Sequence, residues 1–357
     1  GMRQLVLDNA TMWLRDYGFD GLRLDAVHAI FDQRAVHILE ELADHVKLLG
    51  EESGRHFVVI AESDLHDPRL VRPRALGGYG LDAFWADDFH HAVHRFLTGE
   101  TDRYYADFNG LADIARAIRE GYVYQGQYAP SRHRSQGRPP GALATAQLVF
   151  CIQNHDQIGN RAAGERLGML VSPAKARAAA TLLLLAPQVP LLFQGEEWAA
   201  STPFLYFTDH ADPELGRAVT EGRRREFPSE VPVPDPQAAD TFQRSQLQWT
   251  ERELPRHSEM LGWYRRLIAL RKKIRHAPCE VQCDAAAGWL TLRRGPVLAL
   301  FNFSELAQPV PVPEGKWRLV LSSGPEQAMA GSVPSLTTWV LALEMWEGAP
   351  FAEGAVN

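Results

Sequence analysis

Residues 18–25, GFDGLRLD, end a short apolar run with a carboxylate, and this pattern returns twice along the chain. It returns in FVVIAE at 57–62 and in VFCIQNHD at 149–156. Runs this short, rich in apolar and β-branched residues, are typical of buried strands. A single acid at a strand end is often an ion pair or a helix cap, whereas three acids in the same setting indicate one site built across neighbouring strands. The three acids are Asp25, Glu62 and Asp156.

The first part of the chain alternates between strand-like runs and segments with helical periodicity. Two further runs, 83–86 and 189–193, bring the predicted strands to five, of which four precede helical segments. This alternation predicts a parallel sheet with helices packed outside it. Catalytic groups in such folds lie at the carboxyl ends of the strands, and all three acids meet that condition.

The complete pattern predicts an α/β fold in two domains. Residues 1–277 are assigned to the C-terminal portion of a (β/α)8 barrel of the TIM type, with only about strands four to eight present in this chain. Residues 278–357 carry short alternating runs such as WLTLRRG and TTWVLALE between turns, which predict an antiparallel β-sandwich. Because five barrel strands leave edge strands unpaired, we expect the chain to be the C-terminal part of a longer protein.

Two stretches between the last barrel strand and the second domain have opposite character. Residues 199–256 are rich in proline and are predicted to form a long irregular excursion, which is usually functional at this length. Residues 259–274, EMLGWYRRLIALRKKI, have the periodicity of a strong helix.

Composition limits the partners and the compartment. The net charge of −7 argues against a nucleic-acid partner, and the short basic run 223–225 is predicted to be solvated surface. No apolar segment approaches the roughly 18–20 residues that span a bilayer, so no membrane contact is expected. Three cysteines, an odd and sparse count, fit a reducing compartment, which predicts the cytoplasm.

Strand parity separates the roles of the acids. Arg23 and Asp25 point to one side of their strand, and the guanidinium should lower the pKa of the carboxyl and keep it ionised, as a nucleophile requires. Glu62 has no cation beside it in the sequence, and its apolar setting predicts a raised pKa, as a general acid requires. His155 and Asp156 form a pair that can bind sugar hydroxyls and favour a cationic transition state. These roles predict retaining glycoside transfer, in which nucleophile and acid/base lie about 5–5.5 Å apart.

Three motifs resemble conserved regions of the α-amylase family of glycoside hydrolases. GFDGLRLDAVH, VIAESD and NHDQIGNR are similar to three of that family's catalytic regions, and they occur in the family's order. The resemblance implies that Asp25 is the nucleophile, Glu62 the acid/base and Asp156 the transition-state stabiliser, with Arg23 and His155 supporting them. The family's first conserved region has no match here, which implies a missing N-terminal part of the barrel as a partner.

Longer stretches are similar to one subgroup of that family. They are AESDLHDPRL, FWADDFHH and LLFQGEEWAASTPFLYFTDH. Members of this subgroup hydrolyse the α-1,4 bond next to a terminal trehalose unit, so the resemblance implies maltooligosyl trehalose as the substrate. Two alternatives stay open: an α-glucan branching enzyme with the same fold and triad, and a catalytically silent sugar-binding relative.

Nine residues in these motifs are predicted to bind the substrate. They are Arg23, His28, Asp64, Trp85, Asp88, His155, Gln157, Arg161 and Glu197. Competing explanations remain for three of them: a polar contact at a helix start for His28, buried packing for Trp85, and an ion pair with Arg161 for Glu197. Two histidines, His90 and His94, have helical metal-ligand spacing but no third ligand, so neither a metal nor a cofactor is predicted.

Overall fold

The computed structural model describes residues 1–324 and 331–346. The helices are α1 (Met2–Thr11), α2 (Ile38–Ser53), α3 (Asp88–Thr98), α4 (Leu111–Glu120), α5 (His155–Gly159), α6 (Leu167–Leu170), α7 (Pro173–Leu185), α8 (Pro213–Arg225), α9 (Ala239–Arg244) and α10 (Pro255–Ile274). The strands are β1 (Gly21–Leu24), β2 (Val58–Ala61), β3 (Ala83–Trp85), β4 (Gln125–Ala129), β5 (Arg134–Gly137), β6 (Leu148–Phe150), β7 (Val189–Pro190), β8 (Cys279–Asp284), β9 (Trp289–Arg294), β10 (Val297–Asn302), β11 (Trp317–Ser322) and β12 (Thr337–Leu343).

The five predicted strands form one parallel sheet in the order β1-β2-β3-β6-β7, which confirms the prediction. Its register places Arg23 opposite Ile60, Ile60 opposite Ala83, and Trp85 opposite Val149. Side chains alternate between the two faces along a strand, so these register partners point to one common face. That face carries the functional side chains.

The other face of the parallel sheet is covered by helices. In α2, the buried Leu39, Leu42, Val46 and Leu49 recur at helical spacing and form the stripe that packs on the sheet. The helix α7 is buried on all sides from residue 178 to its end, because it lies between the parallel sheet and the C-terminal domain. A helix that is apolar all round belongs in such a central layer.

The C-terminal domain is an antiparallel sheet in the order β11-β12-β10-β9-β8, which confirms the predicted antiparallel domain. One face packs on α4 and α7 and shares the main core. The opposite face carries Leu298, Leu300 and Trp339, and within the described residues Val310 and Val333 of the connecting segments cover it. The predicted boundary after residue 277 falls between α10 and β8 and stays a prediction. Residues 325–330 and 347–357 of the predicted domain lie outside the described residues.

The stretch 199–256 is more regular than predicted, since it contains α8 and α9. Asp212 caps α8 by accepting a hydrogen bond from the amide of Glu214 at 2.8 Å, and a proline occupies the first helical position. This is a helix-start signal that the sequence carries. The prediction of a solvated basic run is wrong for Arg223, because α8 turns it inward, where it donates to the carbonyls of Gly159 and Arg161 at 2.9 Å.

All three cysteines are free thiols. Burial raises the pKa of Cys151 well above its usual range and that of Cys279 to about 11, so both thiols stay protonated at neutral pH. Among the described helices, none combines the length and apolar composition needed to cross a membrane.

Candidate active site

Arg23 links the first two predicted catalytic acids. Its Nη1 donates to Oδ1 of Asp25 at 2.5 Å, and its Nη2 lies 4.0 Å from Oε2 of Glu62. The contacts follow from the parallel register of β1 and β2, which brings the two acids opposite each other where the strands end. The guanidinium also lies 4.4 Å from the ring centroid of Trp85, a cation–π contact from the third strand. One cation therefore lies beside groups from three neighbouring strands and is hydrogen-bonded to one of them, Asp25.

Glu62 lies in a more polar setting than predicted. Its Oε2 accepts a hydrogen bond from the backbone amide of Ala26 at 2.5 Å, and Arg23 is near the same oxygen. Ala26 adopts a left-handed conformation with φ of 42°, which turns its amide onto the carboxylate. The side chain of Glu62 is 16% exposed, whereas that of Asp25 is 81% exposed. The predicted apolar setting of Glu62 is therefore wrong, because a strand distant in sequence supplies a cation.

His155 and Asp156 occupy the first turn of α5 and do not lie directly at the strand end. Asn154 caps this helix, since its side chain accepts from the amides of Asp156 at 2.9 Å and Gln157 at 3.2 Å. Nε2 of His155 lies 3.4 Å from Oδ1 of Asp156, and both side chains are about half exposed. The His155 ring meets the ring of Trp85 edge-on at 6.2 Å. The buried Trp85 thus packs between two site residues, which favours the packing explanation for it.

A fourth acid, Asp87, joins this face and was not predicted. Burial, together with the charges of Glu62, Asp88 and Asp156, raises the pKa of Asp87 to about 7, so these acids lie within electrostatic range of it. Asp87 lies between the end of β3 and the start of α3, so its position just after a predicted strand was the available signal.

Asp88 was predicted to bind the substrate, and the structure corrects this. The residue is 1% exposed, and its Oδ2 accepts from the amides of Val123 at 2.7 Å and Tyr124 at 2.8 Å. Its Oδ1 lies 3.3 Å from Nε2 of the buried His66. Asp88 holds the chain after α4 against the start of α3, out of reach of a ligand.

His28 and Asp64 form a pair of neighbouring side chains, and each follows one of the proposed catalytic acids, Asp25 and Glu62, within three residues. Nε2 of His28 is 3.8 Å from Oδ1 of Asp64, and Nη1 of Arg132 donates to the other carboxylate oxygen at 2.6 Å. Burial by itself would raise the pKa of Asp64, but the hydrogen bond and charge of Arg132, with His28, lower it overall. Asp64 is therefore an ionised and partly exposed group at the rim of the site.

Three predicted substrate contacts remain near α5 and β7. Gln157 is buried, and its Oε1 has no hydrogen-bond partner among the described residues. Arg161 was predicted to bind substrate, but its guanidinium donates to both oxygens of Glu100 at 2.8 and 2.9 Å and to Glu165 at 3.1 Å. Arg161 thus fastens α5 to the loop after α3. Glu197 is partly exposed and forms no ion pair with Arg161, which removes that explanation for it.

His90 and His94, the pair with metal-ligand spacing, have other partners. Nδ1 of His90 lies 2.9 Å from the carbonyl oxygen of Ile152, and Nε2 of His94 lies 2.8 Å from Glu100. Burial lowers the pKa of His90 to about 3, so its imidazole is neutral. His90 therefore joins α3 to the chain after β6, and His94 joins α3 to the loop that follows it.

Comparison with known proteins gives three findings. Residues 275–342 match the family described as a domain of unknown function, DUF3459. The chain is 46% identical over 355 residues to a malto-oligosyltrehalose trehalohydrolase of Rhizobium sp. (strain M-11), covering 95% of this chain and 59% of that protein. It is 47% identical over 339 residues to the enzyme of that name from Arthrobacter ramosus, covering 93% and 58%. The chain therefore spans somewhat less than two thirds of these relatives.

A solved structure agrees with these relatives. The crystal structure of a putative alpha amylase from Salmonella typhimurium superposes with a TM-score of 0.84 at 35% identity. The superposition covers 95% of this chain and 60% of that one. The parallel sheet and the C-terminal antiparallel sheet are therefore shared with a longer protein of the same architecture.

Proposed function

Because the chain belongs to the α-amylase family of glycoside hydrolases and is related to malto-oligosyltrehalose trehalohydrolases, we propose that its site cleaves an α-glucan with retention of configuration. The proposed reaction is hydrolysis of the α-1,4 bond next to the terminal trehalose unit of maltooligosyl trehalose, which releases trehalose. The observation that supports it best is the shared contact of Arg23 with Asp25 and Glu62.

The geometry supports a two-step mechanism. Asp25, exposed and oriented by Arg23, attacks the anomeric carbon while the bond to the leaving oxygen breaks and Glu62 donates its proton to that oxygen. In the second step Glu62 takes a proton from water, which attacks the same carbon and releases Asp25. Asp156 and His155 face the positive charge that develops on the sugar ring in both steps.

The rim of the site is proposed to bind the sugar. His28 and Asp64 offer a donor and an ionised acceptor beyond Glu62, and Glu197 offers a second partly exposed carboxylate after β7. His155 completes this set beside Asp156. Vicinal hydroxyls of a glucose unit are the groups that such mixed donors and acceptors bind. We do not include Asp88 and Arg161 among the proposed sugar-binding residues, because their side chains are hydrogen-bonded to other protein groups.

The proposal includes a partner for the open sheet. Within the described strands, β1 and β7 each have one unpaired edge, whereas a TIM-type barrel closes eight strands. We infer that the remaining strands come from a segment equivalent to the part of the relatives that this chain does not span, on the same or on a separate polypeptide. The free thiols support a reducing compartment, and we place the enzyme in the cytoplasm.

Incubation with maltotriosyl trehalose tests this function. The protein, with its barrel segment present, should release trehalose and maltotriose, and proton NMR should show the new reducing end first as the α-anomer. Hydrolysis elsewhere in the chain, or the β-anomer first, would contradict the proposal. A branching enzyme would shift the iodine absorbance of amylose without releasing trehalose, and a silent relative would bind the sugar without turnover.

A further inference from the structure

Glu196 is a buried carboxyl outside the set of groups that face the substrate. It opens the turn after β7 and is 4% exposed. The hydroxyl of Tyr264 in α10 donates to its Oε1 at 2.9 Å, and Nε2 of Gln153 donates to its Oε2 at 3.2 Å. The two oxygens are thus held from two different elements.

Gln153 connects Glu196 to the segment that carries Asp156, the proposed transition-state stabiliser. Its Oε1 accepts a hydrogen bond from the amide of Leu167 at 2.7 Å, so the whole amide group is engaged. The next residue, Asn154, is the cap that accepts from the amide of Asp156. The hydrogen bonds of Glu196 thus reach Gln153, and the peptide bond joins Gln153 to Asn154, which caps the segment that carries Asp156. Buried hydrogen-bonded groups restrict one another to one geometry.

Among the described residues Glu196 forms no ion pair within 4.0 Å, although Arg166 lies within electrostatic range of it. Arg166, at the start of α6, lines the same small cavity but donates to the carbonyls of Gln194 and Thr202 at 2.6 Å. The remaining neighbours that titrate are Tyr264, Cys151 and Glu197. Burial, with a smaller contribution from the charge of Glu197, outweighs the hydrogen bonds from Tyr264 and Gln153 and raises the pKa of Glu196 to about 8. The group is therefore protonated at neutral pH.

We propose that Glu196 is a positioning residue that fixes, through Gln153, the segment carrying His155 and Asp156 relative to the turn carrying Glu197. Its carboxyl joins two loops at the carboxyl edge of the sheet, one after β6 and one after β7. The mechanical link stands by itself, and only its effect on turnover rests on the proposed function.

The chain offers a matched control in Glu251. This buried carboxylate holds the same turn from the other side, accepting from Nε1 of Trp198 at 3.1 Å and from the amide of Ser201 at 3.0 Å. It makes no hydrogen bond to Gln153 in the described part of the chain. Removing Glu251 should therefore loosen the turn and leave the α5 segment unchanged.

Residue-resolved amide hydrogen exchange tests the link. Glu196→Ala should speed exchange about tenfold in both 151–157 and 195–201, because one broken bond in a buried network opens the network locally. Glu251→Ala should speed exchange only in 195–201. Unchanged exchange at 151–157 in Glu196→Ala, or equal effects of the two variants there, would overturn the proposal.

Glu196→Gln keeps the shape of the side chain and covers the case in which the alanine variant fails to fold. At pH 6.5 the glutamine variant and the unmodified protein should exchange equally at 151–157. At pH 9.5 the unmodified protein should exchange severalfold faster at 151–157 than the glutamine variant does. Glu196 ionises at this pH and leaves a buried charge, whereas a glutamine at this position stays neutral. Equal exchange at both pH values would overturn the proposal.

Activity adds a second readout that is distinguishable from the first. Glu196→Ala should lower kcat more than it changes KM, and Glu196→Gln should move the alkaline fall of kcat to higher pH. A structural role alone would not move the pH profile of kcat, and it would not lower kcat more than it changes KM. If the unmodified protein releases no trehalose, the proposed function fails while the exchange results still decide the link.

Discussion

The guanidinium of Arg23 donates to the carboxylate of Asp25 over 2.5 Å, two residues further along the same face of β1. The other end of the same group lies 4.0 Å from Glu62 on the neighbouring strand. A planar fork can hold two carboxylates at a set separation, which a single ammonium group on a flexible stem cannot do. The proposed nucleophile is therefore hydrogen-bonded to a cation that also lies within electrostatic range of the proposed acid/base.

Replacing this fork tests its importance. Arg23→Lys should lower kcat for trehalose release about 100-fold, with a smaller change in KM, because displaced reacting groups lose rate at that scale. Steady-state kinetics measure both constants. Arg15→Lys, which alters the exposed surface pair with Asp16 at 2.8 Å, should leave both unchanged. Unaltered kcat in Arg23→Lys would show that the shared contact is dispensable.

The acid/base role of Glu62 makes a separate prediction. Glu62→Gln should reduce turnover by about 10³-fold, since general acid catalysis contributes 10²–10⁴. Binding of maltotriosyl trehalose, measured by calorimetry, should change by no more than about threefold. The glutamine side chain keeps an oxygen that can accept from the backbone amide of Ala26, and the substitution leaves the rim of the site intact. Turnover that survives this substitution would remove Glu62 from the role.

Asp87 should make stability depend on pH. Its pKa of about 7 in the folded state exceeds its usual value, so the folded protein binds a proton that the unfolded chain has already lost, and stability falls as the pH rises from about 4 to 7. Asp87→Asn should remove this loss and be more stable by roughly 1–2 kcal/mol at pH 8 but not at pH 4. Urea denaturation at both pH values measures the difference. A pH-independent effect would contradict the assignment.

The neighbouring Asp88 serves as the contrast. Asp88→Ala should destabilise the protein by roughly 1–3 kcal/mol at every pH between 5 and 8, because it leaves the buried amides of Val123 and Tyr124 without an acceptor. The same urea titrations measure it. If Asp88→Ala unfolds no more easily than the unmodified protein, those two amides find another acceptor.

Arg294 joins the C-terminal sheet to the barrel helices. From β9 it donates to the carbonyls of Leu185, at the end of α7, and of Ile274, at the end of α10, at 3.0 and 2.9 Å. Arg294→Met should cost about 3 kcal/mol or more, since several buried carbonyls lose a charged donor. The neighbouring variant Arg293→Met should cost less than about 1 kcal/mol, because Arg293 is partly exposed and its ion pair with the exposed Glu280 is 3.9 Å long. Equal melting temperatures for the two variants would contradict this role.

Local sequence patterns were sufficient for the five parallel strands and for the three acids, but not for the hairpin strands β4 and β5. Each barrel strand is a short apolar run, and the acid or capped helix that follows lies within a few residues of it. The start of α8 was missed although an aspartate followed by proline marks it, because the surrounding prolines outweighed that signal. Asp87 was missed because its setting depends on Glu62 and Asp156, which are distant from it in the sequence.

Long-range contacts decided the rest. The sequence by itself determined which residues end the strands, how the strands alternate with helices and which family the motifs resemble, because these properties depend on neighbours along the chain. Only the tertiary structure decided that Arg23 serves Glu62 as well as Asp25, and that Arg223 is buried under α5. The physical reason is that the electrostatic setting of a carboxyl depends on the charges that the register of a neighbouring strand brings within a few ångströms, and no local pattern encodes that distance.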